Sequence, residues 1–298
     1  LHLHPVKSYR EYRLPERSTI RDVVGQVLVL AYKEDVQPLL TALEEERLPA
    51  SLQRIVYTRE EMAYAVNSRC LLNHRLAWQK AAQLSGYTLI CESDFVPCRR
   101  MGDFPVFWPE TNERAWGYLY QGSPRLLALS EGRSGWLRVH TSPLVAYIIN
   151  ATVAKILLEY FEYASSKYDL TRYFSFDAYL QWFAMGKGAA AYMPRRHYGE
   201  HGGLPNKEHA SLGNLSHGGE HHADNLMGPL RFLPPYARGS IVRFILARAK
   251  WRLLGFGRLI SGRWITATGV YDLSFIDMCR MYLVGAARLM PRVPGLRG

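Results

Sequence analysis

The stretch LAWQKAAQLSGYTLICESDFV, residues 76–96, contains the end of a helix, a turn and a buried strand. Apolar residues recur at helical spacing from Trp78 to Leu84, and the Ser85-Gly86 pair breaks that pattern. The apolar run from Tyr87 to Cys91 then predicts a short buried strand. A helix that leads through a tight turn into a buried strand is typical of an α/β protein.

Two acids, Glu92 and Asp94, stand at the end of this strand. Side chains two positions apart on a strand point to the same side, so both carboxylates should project together while Ser93 faces away. Open α/β sheets bind ligands beyond the carboxyl ends of their strands, where Mn²⁺ or Mg²⁺ takes one or two carboxylates and diphosphate oxygens. The expected ligand is therefore a nucleoside diphosphate with its metal ion. The alternative is that the two acids only end the strand and begin a turn before Pro97.

Residues 70–97, CLLNHRLAWQKAAQLSGYTLICESDFVP, resemble the core signature of family 25 glycosyltransferases, the galactosyl and glucosyl transferases of lipopolysaccharide biosynthesis. Asn73 stands where that signature has Ser, and Ser93 stands where it has a central acid, so the chain resembles a divergent member. The positions that match the signature at the correct spacing are Cys70, His74, Trp78, Glu92 and Asp94.

The resemblance implies a GT-A-like fold, an open mixed sheet flanked by helices, and metal-dependent inverting transfer from a UDP-sugar. The acceptor would be a saccharide or lipid-linked saccharide of a lipopolysaccharide, capsule or related glycan. Residues 139–161 and the segment FDAYLQ around Asp177 resemble later segments of the family. The resemblance makes Asp177 the expected catalytic base, with Asp169 and Glu159 as other candidates. The alternative role for Asp177 is to cap the helix that follows.

A segment rich in histidine and glycine, residues 194–230, is expected to form a long loop that closes over the donor. His217, His221 or His222 would complete the coordination of the metal held by Glu92 and Asp94. Arg195 and Arg196 would bind the diphosphate, since Arg suits bidentate phosphate contacts, with surface solvation as the alternative. A metal-dependent hydrolase centred on the histidines, with His221 and His222 needed for its metal, is a further alternative.

The positive charge is concentrated at the C-terminus, where residues 231–298 contain twelve Lys or Arg and two Asp. Ser240 to Ile260 predicts a basic amphipathic helix that lies on an anionic membrane surface, through residues 240–260. The alternative is an ordinary packed helix with solvated arginines. Nucleic acid is not an expected partner, because the region has no nucleic-acid-binding motif. The apolar positions expected on one face of this helix are Ile241, Phe244, Ile245, Ala249 and Leu253.

The composition, with 48% hydrophobic residues, predicts a globular chain with a sizeable core. We expect an N-terminal extension (1–22), a GT-A-like catalytic domain (23–193), the loop (194–230) and a basic helical C-terminal region (231–298). The absence of a C-x-x-C pair and of an apolar leader favours the cytoplasm, at the inner face of the plasma membrane. The other function considered is a non-catalytic descendant of the fold that binds a glycan or an anionic lipid.

Overall fold

The computed structural model describes residues 18–122, 124–129, 136–142, 144–203, 222–265 and 274–290. Eight strands form one mixed sheet, and two short strands form an antiparallel ribbon beside it. The order across the large sheet is β2-β1-β3-β8-β5-β9-β7-β6, and the ribbon pairs β10 with β4. The strands are β1 (Val24–Ala31), β2 (Ala50–Arg54), β3 (Tyr87–Glu92), β4 (Phe95–Pro97), β5 (Ala115–Tyr118), β6 (Arg125–Leu129), β7 (Trp136–His140), β8 (Ala146–Asn150), β9 (Ala190–Pro194) and β10 (Gly199–His201).

Helices cover both faces of the sheet because its central strands are apolar on both sides. Leu28 and Ile90 belong to the core beneath α3, α4 and α5, whereas Val27 and Leu89 belong to the opposite core with α1 and α2. The expected α/β class, with a mixed sheet flanked by helices, is therefore confirmed. The helices are α1 (Ile20–Val23), α2 (Gln37–Glu45), α3 (Val66–Ala81), α4 (Ala151–Lys167), α5 (Phe176–Gly186), α6 (Ile241–Ile260) and α7 (Phe275–Leu289).

The strand expected from the opening stretch is β3, and it runs parallel to β1, which itself runs parallel to β2. Gly86 enters β3 with a φ of +81°, a left-handed conformation that glycine adopts without steric cost. The three parallel strands bring their carboxyl ends to one edge of the sheet, so Ala31, Arg54 and Glu92 end at the same side. This edge is where an α/β sheet binds its ligands.

The C-terminal helices belong to the same core as the sheet. Leu259 of α6 and Leu289 of α7 are buried in the cluster beneath α3 to α5, together with Trp264 and Met281. The two helices approach closely at glycines: a Cβ on Gly255 would lie 2.8 Å from the Leu289 side chain, and one on Gly285 would lie 2.6 Å from Leu259. The predicted basic helix is thus confirmed as a helix, and its inner face belongs to the core of the sheet.

The described part of the predicted loop, residues 194–203 and 222–230, is more ordered than the sequence indicates. Its segment Gly199–His201 is strand β10, which pairs with Phe95–Pro97 directly after Asp94. His197, Glu200 and Asp224 within it are buried. A strand of three residues whose partner lies about 100 positions away carries no local signal, so periodicity could not indicate it.

Among the described residues, no helix combines the length and the apolar character that crossing a bilayer requires.

Candidate active site

The two acids singled out in the sequence line a cleft at the carboxyl edge of the parallel strands. Glu92 is the last residue of β3, and Asp94 lies in the turn that joins β3 to β4. The cleft has a volume of about 310 Å³ and opens between the ends of β1 and β3 and the first turns of α3. Its lining residues are Leu30, Ala31, Tyr32, Glu34, Tyr57, Val66, Arg69, Cys70, Asn73, Glu92, Ser93 and Asp94.

A chain of hydrogen bonds holds the Glu92 carboxylate in place. Trp78 Nε1 donates to the Tyr147 hydroxyl at 2.8 Å, and that hydroxyl lies 2.9 Å from His74 Nδ1. His74 Nε2 lies 3.0 Å from Glu92 Oε1. Because the indole N–H can only donate, the Tyr147 proton can point to Nδ1, which leaves the His74 proton on Nε2 for Glu92. The motif residues His74 and Trp78 on α3 are thereby tied to the strand end, and the buried Trp78 also packs the helix onto the sheet.

Cys70 completes this cluster as a protonated thiol. Its Sγ lies 3.4 Å from Glu92 Oε1, at hydrogen-bond distance. Burial raises the pKa of the Cys70 thiol well above its usual value, and the charges of Glu92, Asp94 and Asp177 raise it further. Ligand-type atoms of Cys70, His74 and Glu92 lie within 4.8 Å of one another and could hold a metal ion. Since a thiolate and not a thiol binds metals, we interpret this group as a hydrogen-bonded support for Glu92.

Asp94 has a different partner, His201, which the sequence analysis missed. Asp94 Oδ2 lies 3.0 Å from His201 Nε2, while Asp94 Oδ1 is shielded from solvent and has no hydrogen-bond partner among the described residues. Burial opposes ionisation of Asp94, but the charge of His201 and its hydrogen bond outweigh burial and lower the pKa of the carboxyl. A Cβ on Gly203 would lie 2.3 Å from Asp94 Oδ2, so glycine is needed beside this pair.

Of the three histidines predicted as late metal ligands, the structure describes only His222. His217 and His221 lie outside the described residues. His222 is buried, its ring lies 3.9 Å from the Tyr236 ring, and its Nδ1 lies 3.2 Å from the His201 carbonyl oxygen. His222 therefore lies next to the residue that contacts Asp94, while His201 itself is the histidine at the carboxylate. His201 belongs to the same histidine-rich tract, but its pairing through β10 is non-local.

Asp177 lies at the start of α5, on the side of the sheet where α3 carries the motif residues. The N-cap of α5 is Ser175, so Asp177 is the second helical residue and does not cap the helix. The side chain of Asp177 is half-buried. Phe176, its neighbour, lies 6.3 Å from the His74 ring, and the Asp177 charge contributes to the raised pKa of Cys70. Three carboxylates, on Glu92, Asp94 and Asp177, thus act electrostatically on one thiol.

Aromatic and basic side chains that the sequence analysis did not single out also line the cleft. The Tyr32 and Tyr57 ring centroids are 5.0 Å apart, and the Arg69 guanidinium lies 5.7 Å from the Tyr57 ring. Arg69 Nε is shielded from solvent and has no hydrogen-bond partner among the described residues. Tyr32 directly follows the apolar strand β1 and Arg69 directly precedes Cys70. Their position next to predicted elements was therefore the feature of the sequence that could have indicated them as cleft residues. Tyr57 follows the polar strand β2, which has no such signal.

The two arginines predicted to bind diphosphate contact the C-terminal helix. Arg196 Nη2 donates to the Met290 carbonyl oxygen at 2.7 Å. Arg195 is exposed, and its carbonyl oxygen accepts a hydrogen bond from Arg288 Nε at 3.0 Å. Both follow β9, which runs parallel to β5.

Beneath these arginines is a buried ionic network around Asp224. Arg288 Nη1 and Nη2 lie 2.8 and 2.9 Å from the two Asp224 oxygens, and Arg258 Nη2 lies 3.2 Å from Oδ2. Burial opposes ionisation of Asp224, but the Arg288 charge and the contacts with His197 outweigh it and hold the pKa of that carboxyl well below its usual range. Glu200, beside His201, is a second buried acid and pairs with Arg248 at 3.0 Å. The network joins α6 and α7 to the strand that carries His201.

Neither a protein-family model nor a curated protein matches this chain.

Proposed function

We propose that this protein is a metal-dependent inverting glycosyltransferase of the GT-A type that uses a UDP-sugar donor. The observation that carries the proposal is the pair Glu92 and Asp94 at the carboxyl edge of parallel strands, on a cleft of about 310 Å³, a volume within the range of small-molecule sites. The resemblance of residues 70–97 to family 25 agrees with the arrangement of those motif residues around Glu92.

The residues at the cleft fit a divalent cation. Asp94 Oδ1 is a buried oxygen without a hydrogen-bond partner among the described residues, His201 Nε2 lies 3.0 Å from Asp94 Oδ2, and Glu92 ends the strand two residues earlier. Mn²⁺ accepts carboxylate and imidazole ligands, and Mg²⁺ accepts the carboxylates. Glu92 and Asp94 would hold the ion, and His201 would join them by releasing the proton that Nε2 directs to Asp94. When bound, it would neutralise the charge that develops on the leaving diphosphate.

The side chains of the cleft have separable roles in this proposal. Tyr32 and Tyr57 would stack on the uracil ring, since aromatic faces suit a flat heterocycle. Arg69 would contact the diphosphate through its guanidinium. Asp177, a half-buried carboxylate apart from the metal pair, would remove the proton of the acceptor hydroxyl as the new bond forms. The chain from Trp78 through His74 would keep Glu92 oriented. The acceptor would be a saccharide of a cell-surface glycan, reached from the cytoplasmic side of the membrane.

Calorimetric titration of UDP, with and without Mn²⁺, tests the donor site. We expect Mn²⁺-dependent binding by the wild type, loss of that binding in Glu92→Gln/Asp94→Asn, and weakened binding in His201→Ala. Asp103→Asn is the matched control, because Asp103 pairs with Arg21 near the amino end of β1, at the opposite edge of the sheet. This control should bind UDP like the wild type.

Two outcomes would contradict the proposal. Failure of the folded wild type to bind UDP under either condition would favour the non-catalytic alternative, which the substitution of Ser93 for a central acid motivates. Retention of Mn²⁺-dependent binding by the double variant would place the metal away from both Glu92 and Asp94.

A further inference from the structure

The two C-terminal helices present large apolar side chains to solvent. On α6, the exposed fractions are 61% for Val242, 63% for Leu246, 70% for Leu253 and 84% for Ile260. On α7, they are 75% for Phe275, 62% for Ile276 and 70% for Leu283. Single exposed apolar residues need no explanation, but a set of this size on two adjoining helices indicates an interaction surface.

The exposed side chains of α6 form a stripe along one side of the helix. Val242, Leu246, Leu253 and Ile260 are spaced by four, seven and seven residues, so they fall on one helical face. The opposite face is buried and holds Trp251, Gly255 and Leu259. The helix is therefore already anchored to the protein by its inner face, and the outer apolar stripe serves no packing among the described residues.

Basic side chains border this stripe. Helical geometry puts Arg243 and Lys250 on one side of it and Arg252 on the other, and Ile241–Ile260 contains no acid. The other two basic residues of α6 point inward, where Arg248 pairs with Glu200 and Arg258 with Asp224. On α7, Arg280 is exposed beside the apolar face and lies 3.6 Å from Asp277 of the same helix.

We infer that α6 and α7 together form a platform that lies on the surface of an anionic lipid bilayer. The apolar stripe would enter the boundary between headgroups and acyl chains, and the bordering Arg and Lys would contact lipid phosphates. Charge complementarity favours this occupant over a second copy of the chain, because two copies joined by this face would bring like charges together. The inference stands on the two helices alone and does not depend on sugar transfer in the cleft.

Vesicle sedimentation with the full chain tests the platform. We expect binding to phosphatidylcholine vesicles that contain about one-third phosphatidylglycerol, weaker binding to phosphatidylcholine alone, and weakening by added salt. Leu246→Asp/Leu253→Asp should lower the affinity at least about 100-fold, and Arg243→Gln/Arg252→Gln about 25-fold. Val56→Asp is the matched control, since Val56 is 88% exposed and lies outside these helices. It should bind like the wild type.

All altered side chains are at the surface, so the variants should fold, and thermal unfolding verifies this. Equal binding of the folded Leu246→Asp/Leu253→Asp variant and the wild type to anionic vesicles would overturn the inference. Failure of the wild type to bind those vesicles would do the same. Sedimentation equilibrium gives the third decisive result: a dimer that Leu253→Asp dissociates would assign the face to a second copy. UDP titration of the same variants keeps the two proposals separate, because the platform variants should retain donor binding.

Discussion

Replacing Asp224 by Asn should destabilise the protein strongly, although residue 224 lies in a segment rich in histidine and glycine. The Asp224 carboxylate is 2% exposed and contacts two arginines, Arg288 through both oxygens and Arg258 through one. The Asn amide has nearly the same shape but no charge, and its NH₂ group would face a guanidinium. Two positive charges would remain in a buried site without their counter-ion.

The size of the effect follows from the cost of leaving a buried charge unpaired. Removing one partner of a buried ion pair typically costs about 3–5 kcal/mol in the free energy of unfolding. For a domain larger than 150 residues, each kcal/mol lowers Tm by about 2–4 °C, so Tm should fall by roughly 6–20 °C. Asp169→Asn is the control, because Asp169 and its partner Arg172 are both well exposed and such surface pairs contribute little.

Differential scanning calorimetry measures the effect, and a double variant tests its cause. Asp224→Leu/Arg288→Met removes both members of the closest pair, so it should be less destabilised than Asp224→Asn. A decrease in Tm of less than about 2 °C for Asp224→Asn would refute the reasoning, since it would mean that solvent screens the arginines. It would also mean that the Asp224 pairs contribute little to holding the C-terminal helices on the sheet.

Three further predictions concern a helix crossing, an acid-sensitive group and the proposed base. Gly285→Ala should lower the free energy of unfolding by about 1–3 kcal/mol, because its Cβ would lie 2.6 Å from Leu259. Gly257→Ala, whose Cβ would have no atom within 4 Å, should instead raise it by about 0.5–1 kcal/mol. Urea unfolding measures both changes, and equal effects would contradict the close helix crossing at Gly285. Burial lowers the pKa of His197 to about 4, so below pH 6.5 the unfolded protein binds more protons at this residue than the folded protein does. The free energy of unfolding should therefore decrease as the pH falls from 6.5 to 4, and it should decrease less in His197→Gln. Urea midpoints that fall in parallel with pH for the two proteins would show that His197 is not the cause. Asp177→Asn should lower kcat about 100- to 10,000-fold and leave the affinity for UDP unchanged. Sugar-transfer rates measure the first effect and calorimetry the second. Unchanged turnover would mean that another residue is the catalytic base.

The opening stretch predicted the position of the acids because its signals are local. Alternation along β3 and the break at Ser85-Gly86 are enough to put Glu92 and Asp94 at a strand end. His201 could not be predicted, because its contact with Asp94 depends on a three-residue strand that pairs across the fold. The sequence instead indicated His217, His221 and His222, of which the structure describes only His222.

The C-terminal helix shows a second limit of sequence patterns. Its amphipathic spacing correctly predicted a helix, and Ile241, Ile245 and Leu253 of the expected face are indeed exposed. Apolar periodicity identifies a stripe but does not indicate whether the stripe faces the core or solvent. Here two arginines occupy the inner face, because the buried acids Glu200 and Asp224 are there to pair with them. Those pairings depend on tertiary structure, so they produce no periodic pattern in the sequence.

The position of α6 would fix the distance between the cleft and a membrane bound to the outer face of this helix. Its inner face holds Glu200 through Arg248, and Glu200 adjoins His201, which contacts Asp94. If the outer face lies on lipid, one helix diameter of about 10 Å separates the bilayer surface from the strand that carries His201. The protein would then select acceptors by reach: a hydroxyl within a few sugar units of the headgroups could be glycosylated, whereas the end of a long glycan would pass beyond the cleft.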